Sequence, residues 1–174
     1  KVDYVELDPL IIRMAREHLP RSYRASLDDK RVSLHLEDGR LFVKRSKGNY
    51  DVVITSLGDP YTAQLNRLYT LEFFNEVKRL LRNGGVLSFG LSSSESYMSK
   101  ESRQFLHSIY TTLDSSFADV KIIPGETAYF LASDEEGRLT YEHNVLIARA
   151  RERALDVKYV REYYLSSRMA PDKI

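Results

Sequence analysis

Cysteine is absent from the 174-residue sequence, which excludes disulfides and thiolate metal sites and fits a reducing compartment. An excess of one charge is missing too. The 26 basic and 25 acidic residues leave a net +1, with no global pull toward nucleic acid or an anionic membrane. No apolar run approaches the roughly 18 residues that a membrane-spanning helix needs. Neither an initiating Met nor a signal peptide opens the chain, and Lys1 leads straight into an apolar strand, as if cut from a longer protein. The histidines are few (His18, His35, His107 and His143), and none stands at ligand-like spacing from another, so surface or core roles are expected for them. What is present, 43% hydrophobic and 29% charged residues, suits one soluble globular domain over 1–174.

The chain alternates strand and helix patterns. Val2 to Leu7 reads as a strand, and Asp8-Pro9 as the cap and first turn of a helix carrying Leu10, Ile11, Met14 and Ala15. Arg21 to Lys30 reads as a polar loop. Val32 to Leu36 is a second strand, followed by Glu37-Asp38-Gly39 and a short helix to about Arg45. Tyr50 to Thr55 has apolar residues on both faces, the pattern of a central parallel strand. Ser56 to Tyr69 reads as a long loop. Thr70 caps a helix with Phe74, Val77 and Leu81 on one face, and Gly84-Gly85 stop it before the strand Val86–Leu91. A polar Ser92–Ser96 segment, a helix over about 100–113 and a hairpin around Pro124-Gly125-Glu126 follow. The tail from Tyr141 carries a helical pattern with Val145, Leu146, Ala150 and Leu155. A second helix near Tyr163 is packed by Tyr159, Tyr163 and Tyr164.

This order predicts an α/β fold with a Rossmann-like, methyltransferase-type sheet, mostly parallel and ending in an antiparallel hairpin. Ligands of such sheets sit beyond the carboxyl ends of the strands. Glu6 closes the first strand, where a carboxylate can accept both hydroxyls of a ribose. Asp38 and Gly39 close the second; the Asp can accept from an exocyclic amine and the Gly lets backbone approach a purine. Ser56, Asp59 and Pro60 follow the third. Taken singly, Glu6 also reads as a solvated strand end, and Asp38-Gly39 and Asp59-Pro60 as turns.

Together the strings resemble the polyamine aminopropyltransferases of the spermidine-synthase family. Tyr4-Val5-Glu6-Leu7-Asp8-Pro9 is similar to that family's strand ending in Glu-Ile-Asp, and Glu37-Asp38-Gly39-Arg40 to its Gly-Asp-Gly element. Tyr50-Asp51-Val52-Val53-Ile54 resembles its Tyr-Asp-Val-Ile strand, Asp59-Pro60 the close of its Asp-Ser-Ser-Asp-Pro loop, and Gly84-Gly85-Val86-Leu87 its next strand. The resemblance implies that Glu6 holds the ribose, Asp38 and Gly39 the adenine, and Asp59 an amine of the polyamine. It implies decarboxylated S-adenosylmethionine, or S-adenosylmethionine, as the nucleoside. The family's catalytic Asp falls on Ser56, and its Gln after the following strand on Gly90. A serine hydroxyl with no neighbouring base cannot deprotonate an ammonium near neutral pH. The family's first strand with its Gly-rich loop, and its N-terminal hairpin domain, lie outside this sequence.

Leu57-Gly58-Asp59-Pro60 and Leu65-Asn66-Arg67-Leu68-Tyr69-Thr70, with Ala128-Tyr129-Phe130-Leu131-Ala132-Ser133 and Asp156-Val157-Lys158-Tyr159-Val160, resemble the bacterial subgroup fused to membrane spans. That resemblance implies a cytoplasmic domain beside membrane helices. Three functions remain open: aminopropyl transfer to a polyamine, methyl transfer to another acceptor, and a catalytically inactive nucleoside-binding or regulatory module. Loss of the family's first strand leaves the strands at 2–7 and 50–55 each with an open edge. They can close the gap by pairing directly or associate with another chain, and a homo-oligomer is expected.

Overall fold

Phe89 lies at the centre of the main hydrophobic core, and the elements around it follow from how it is covered. A computed structural model describes residues 1–94, 97–155, 157–170 and 174. Two compact units divide the chain, Lys1–Lys47 and Gly48–Ile174.

In the first unit, strand β1 (Val2–Glu6) runs parallel to β2 (Val32–Leu36), with Val2 opposite Val32 and Glu6 opposite Leu36. Helix α1 (Pro9–His18) starts where the Asp8 carboxylate accepts the Leu10 N–H at 2.8 Å. Only Ile12 of α1 is buried. Leu10, Ile11 and Met14, the face expected to be covered, stay about half exposed, because no described residue lies over them. The stretch expected as a loop after α1 instead forms one helical turn, α2 (Arg21–Arg24), and a 3-10 turn, Ala25–Asp28. Local backbone bonds suffice for single turns without an apolar stripe. Helix α3 (Gly39–Arg45) is capped by Asp38 and buries Val43, and Phe42 packs against the His35 ring. His35 also meets Asp3 at 2.9 Å across the β1–β2 pair.

The second unit is a four-stranded sheet in the order β3 (Tyr50–Thr55), β4 (Leu81–Ser92), β6 (Thr127–Ser133), β5 (Asp119–Ile123). β3 and β4 are parallel; β4–β6 and β6–β5 are antiparallel, so the expected hairpin forms. Helix α4 (Ala63–Asn66) interrupts the expected long loop, capped by Thr62. Helix α5 (Leu71–Lys78) is capped by Thr70, which accepts from Phe73 N, and it buries Phe73, Phe74 and Val77. It ends before the glycine pair, so Leu81 opens β4 instead of closing the helix, and Gly84-Gly85 lie inside the strand. Helix α6 (Lys100–Asp114) buries Leu106, Ile109 and Leu113 at helical spacing.

One sheet face therefore packs. Phe89 stacks on Phe130 with centroids 5.0 Å apart and on Phe74 at 5.8 Å, and Tyr69 meets it edge-on at 5.6 Å. Truncating one such ring to Ala costs about 3–5 kcal/mol in typical cores. The opposite face carries Val52, Ile54 and Tyr129, which are 50%, 72% and 49% exposed. β3 is thus an edge strand with one face open, where two covered faces were expected. β1 has a single ladder partner as well, β2, and the described ladders contain no β1–β3 pairing.

Helices α7 (His143–Glu152) and α8 (Glu162–Arg168) complete the chain, and Leu155 falls beyond α7. Tyr159, Tyr163 and Tyr164, expected as packing, are 77%, 76% and 47% exposed because nothing described covers their side of the tail. Glu95, Ser96 and Asp156, parts of two strings singled out above, lie outside the described residues.

Candidate functional site

The nucleoside residues expected from sequence come together in the first unit. Parallel pairing places the carboxyl ends of β1 and β2 side by side, and the Glu37 N–H donates to the Glu6 carbonyl at 3.0 Å. Glu6 leaves β1 half-buried, and its carboxylate accepts the Asp8 N–H at 3.0 Å, which orients it at the strand end. Burial, then the Glu6 charge and a hydrogen bond to it, push the Tyr4 phenol above its ordinary pKa. Asp38 caps α3 by accepting the Leu41 N–H at 3.0 Å. A carboxylate has two oxygens and about four acceptor positions, so the bonds Glu6 accepts from Asp8 and Tyr4 do not use all of them. A Cβ built on Gly39 would meet nothing within 4 Å, so the fold itself does not require a glycine there. The open position at Gly39, next to Asp38, leaves room for a flat ring to approach the backbone.

The second unit holds Ser56 and Asp59. Ser56 follows β3 directly, is exposed, and makes no hydrogen bond among the described residues. Asp59 is half-buried, and its carboxylate accepts the Ser92 N–H at 2.9 Å at the end of β4. Burial opposes ionisation of Asp59, but hydrogen bonds from Ser92 and from the exposed Tyr61 phenol outweigh it, and its carboxyl lies below its usual pKa. Tyr61 is correspondingly pushed up, first by that bond and then by the Asp59 charge. The loop is anchored from beneath: buried Tyr69 donates its hydroxyl to the Gly58 carbonyl at 3.1 Å. Burial, with the Asp59 charge adding, pushes the Tyr69 phenol to about 12. Asp59 is therefore a fixed, ionised acceptor suited to an ammonium.

Tyr69 and Tyr61 were not singled out as site residues, and Ser92 was read as part of a polar loop. Tyr69 itself is the one local signal, since a tyrosine buried just before the helix needs a partner for its hydroxyl. Gly90 stands opposite Tyr129 in the β4–β6 ladder. Among the described residues no group of three His, Asp or Glu side chains is placed to hold a metal ion.

The model of the spermine/spermidine synthase domain matches residues 1–141. The chain belongs to that family. A polyamine aminopropyltransferase of Nitrosomonas europaea is 40% identical over 93 residues, 53% of this chain and 28% of that protein. One of Sulfolobus acidocaldarius is 31% identical over 162 residues, covering 88% of this chain and 52% of the relative. The chain thus spans about half the length, or less, of these curated relatives. Among solved structures, a spermidine synthase in complex with the transition-state analogue AdoDATO superposes with a TM-score of 0.74 at 23% identity, over 98% of this chain and 58% of that one. Human methyltransferase-like protein 13 in complex with SAH reaches 0.65 at 18% identity, over 95% of this chain and 76% of that one. The spermidine-synthase fold, of the Rossmann-like methyltransferase type, follows from these likenesses.

Proposed function

We propose that the intact protein binds a nucleoside of the decarboxylated S-adenosylmethionine type and transfers its aminopropyl group to a polyamine. The observation that carries this reading is the trio of acidic side chains at strand ends, Glu6, Asp38 and Asp59, with open space at Gly39. Glu6 accepts the ribose hydroxyls. Asp38 accepts the adenine amino group, and Gly39 leaves room for the ring. Asp59 accepts from an ammonium of the polyamine; hydrogen bonds from Ser92 and Tyr61 keep it ionised, and Tyr69 anchors its loop through Gly58. The bound nucleoside supplies an alkyl group on a sulfonium, whose carbon accepts the lone pair of a neutral amine as the carbon–sulfur bond breaks. That amine must first lose its proton, and Ser56 is no base for it. Another base takes that proton.

Ser56 also favours a second reading, a nucleoside-binding or regulatory module without transfer; methyl transfer to another acceptor is the remaining alternative. The sequence resemblance to membrane-fused relatives supports a cytoplasmic placement beside membrane helices. No helix among the described residues is long and apolar enough to cross a membrane. The open edges of β1 and β3 support a homo-oligomer.

Calorimetric titration of the intact protein with methylthioadenosine tests the nucleoside half. Binding is expected, and Glu6→Gln and Asp38→Asn should each weaken it about tenfold, the worth of one hydrogen bond to a charged group. Absence of binding, or binding indifferent to both changes, overturns it. Product formation from putrescine then separates transfer from binding alone.

A further inference from the structure

Gly90 has no side chain because another residue already fills the space. A Cβ there would lie 2.8 Å from Thr127 Cγ2 and 3.2 and 3.4 Å from two ring carbons of Tyr129. The Tyr129 ring therefore rests on the bare Gly90 backbone, directly opposite it in the β4–β6 ladder. Alternation along β4 puts Gly90 on the face away from Phe89 and Leu91, so Tyr129 takes no part in the core, and nearly half of it is exposed. Ser92 lies two residues further on, and its N–H, which lies in the plane of the sheet, fixes the Asp59 carboxylate. An aromatic ring and an ionised carboxylate thus stand at the same end of one strand. A carboxylate neutralises one ammonium, and an aromatic face attracts a cation and packs against methylenes.

We propose that Tyr129, seated on Gly90, is a specificity-determining residue for the acceptor amine and sets the methylene length that the Asp59 corner accepts. This rests on the amine-acceptor reading given above. A ring and a carboxylate fixed at the same end of β4 define a span. Diamines matching it gain the aromatic contact, and others do not.

The alternative role of Tyr129 is to stabilise the sheet, since aromatic rings laid over strand glycines do so without any ligand. The two roles differ in what a length series reads. Binding of 1,3-diaminopropane, putrescine, cadaverine and spermidine to the intact protein, preloaded with methylthioadenosine, is measured by calorimetry alongside thermal melting. Tyr129→Ala is expected to weaken the best-bound amine about tenfold and to flatten the length preference. Tyr129→Phe, which keeps the ring, should restore both to within about twofold, because the ring is what the reading requires. If Tyr129→Ala does not fold, Tyr129→Leu serves, and Gly90→Ala, which pushes on the ring, should shift the preferred length. A lower melting temperature with an unchanged length profile overturns the proposal and leaves the amine reading standing. A wild-type protein that binds the nucleoside but no amine overturns both.

Discussion

Tyr69 is the residue whose chemistry can be read most directly in solution. Its phenol is neutral in the fold up to about 12, whereas an unfolded tyrosine ionises near 10. A raised folded value means that the stability contribution is whole below about pH 10 and is lost as pH climbs toward the folded value. Wild type should therefore show an alkaline fall in stability across that window, and Tyr69→Phe should lack that part of it. At neutral pH the variant should lose about 1 kcal/mol with the hydrogen bond to Gly58. Denaturant midpoints measured from pH 8 to 12 check this; superimposable profiles would show that Tyr69 does not carry the alkaline slope. Asp59 works in the opposite direction. Its folded pKa is lowered, so its contribution is present above the usual carboxylate value and disappears as pH falls through the lower folded one.

At the scale of elements, two glycines make opposite demands. A Cβ on Gly85 would meet the Arg82 carbonyl at 2.9 Å and the Tyr50 carbonyl at 3.0 Å, where the β3–β4 register shifts between Tyr50 and Val52. Backbone cannot step aside cheaply, so Gly85→Ala should cost about 1–3 kcal/mol by chemical denaturation. Gly39→Ala meets open space at the start of a helix and should leave stability within about 0.5 kcal/mol while weakening methylthioadenosine binding. Loss of stability at Gly39 with nucleoside binding intact would remove that glycine from the site. The same contrast shows what could be read beforehand. Strands β1, β2, β5 and β6 and helices α1, α3, α5 and α6 declared themselves through periodicity and caps such as Asp8 and Thr70. The glycine pair read as a helix stop because its reasons, a positive φ at Gly84 and carbonyls of Arg82 and Tyr50 crowding Gly85, depend on the folded strand. Single turns at 21–28 and 63–66 carry no apolar period to detect. The places of Glu6, Asp38 and Asp59, at or after strand ends, were legible because strand ends are marked by pattern. Tyr69, Ser92 and Tyr129 were not, because their roles depend on cross-strand register and on a loop folding back.

For the molecule as a whole, the apolar face expected to be covered on β3 is open, and the ladder edges of β1 and β3 have no partner among the described residues. Unpaired edges with exposed Val52 and Ile54 favour association. A dimer or larger species is expected by light scattering of this chain at working concentration, and Ile54→Lys, a charge on that face, should shift it toward monomer. A wild-type monomer at every concentration would exclude self-association through β3.

That edge has a practical side. Because β3 has a strand on only one side among the described residues, beside an apolar face, a short extended peptide with alternating valine and lysine is expected to cap its outer edge. Such a peptide would serve as a detachable handle, holding the chain in a single species for spectroscopy and releasing it on dilution, without altering any residue of the site.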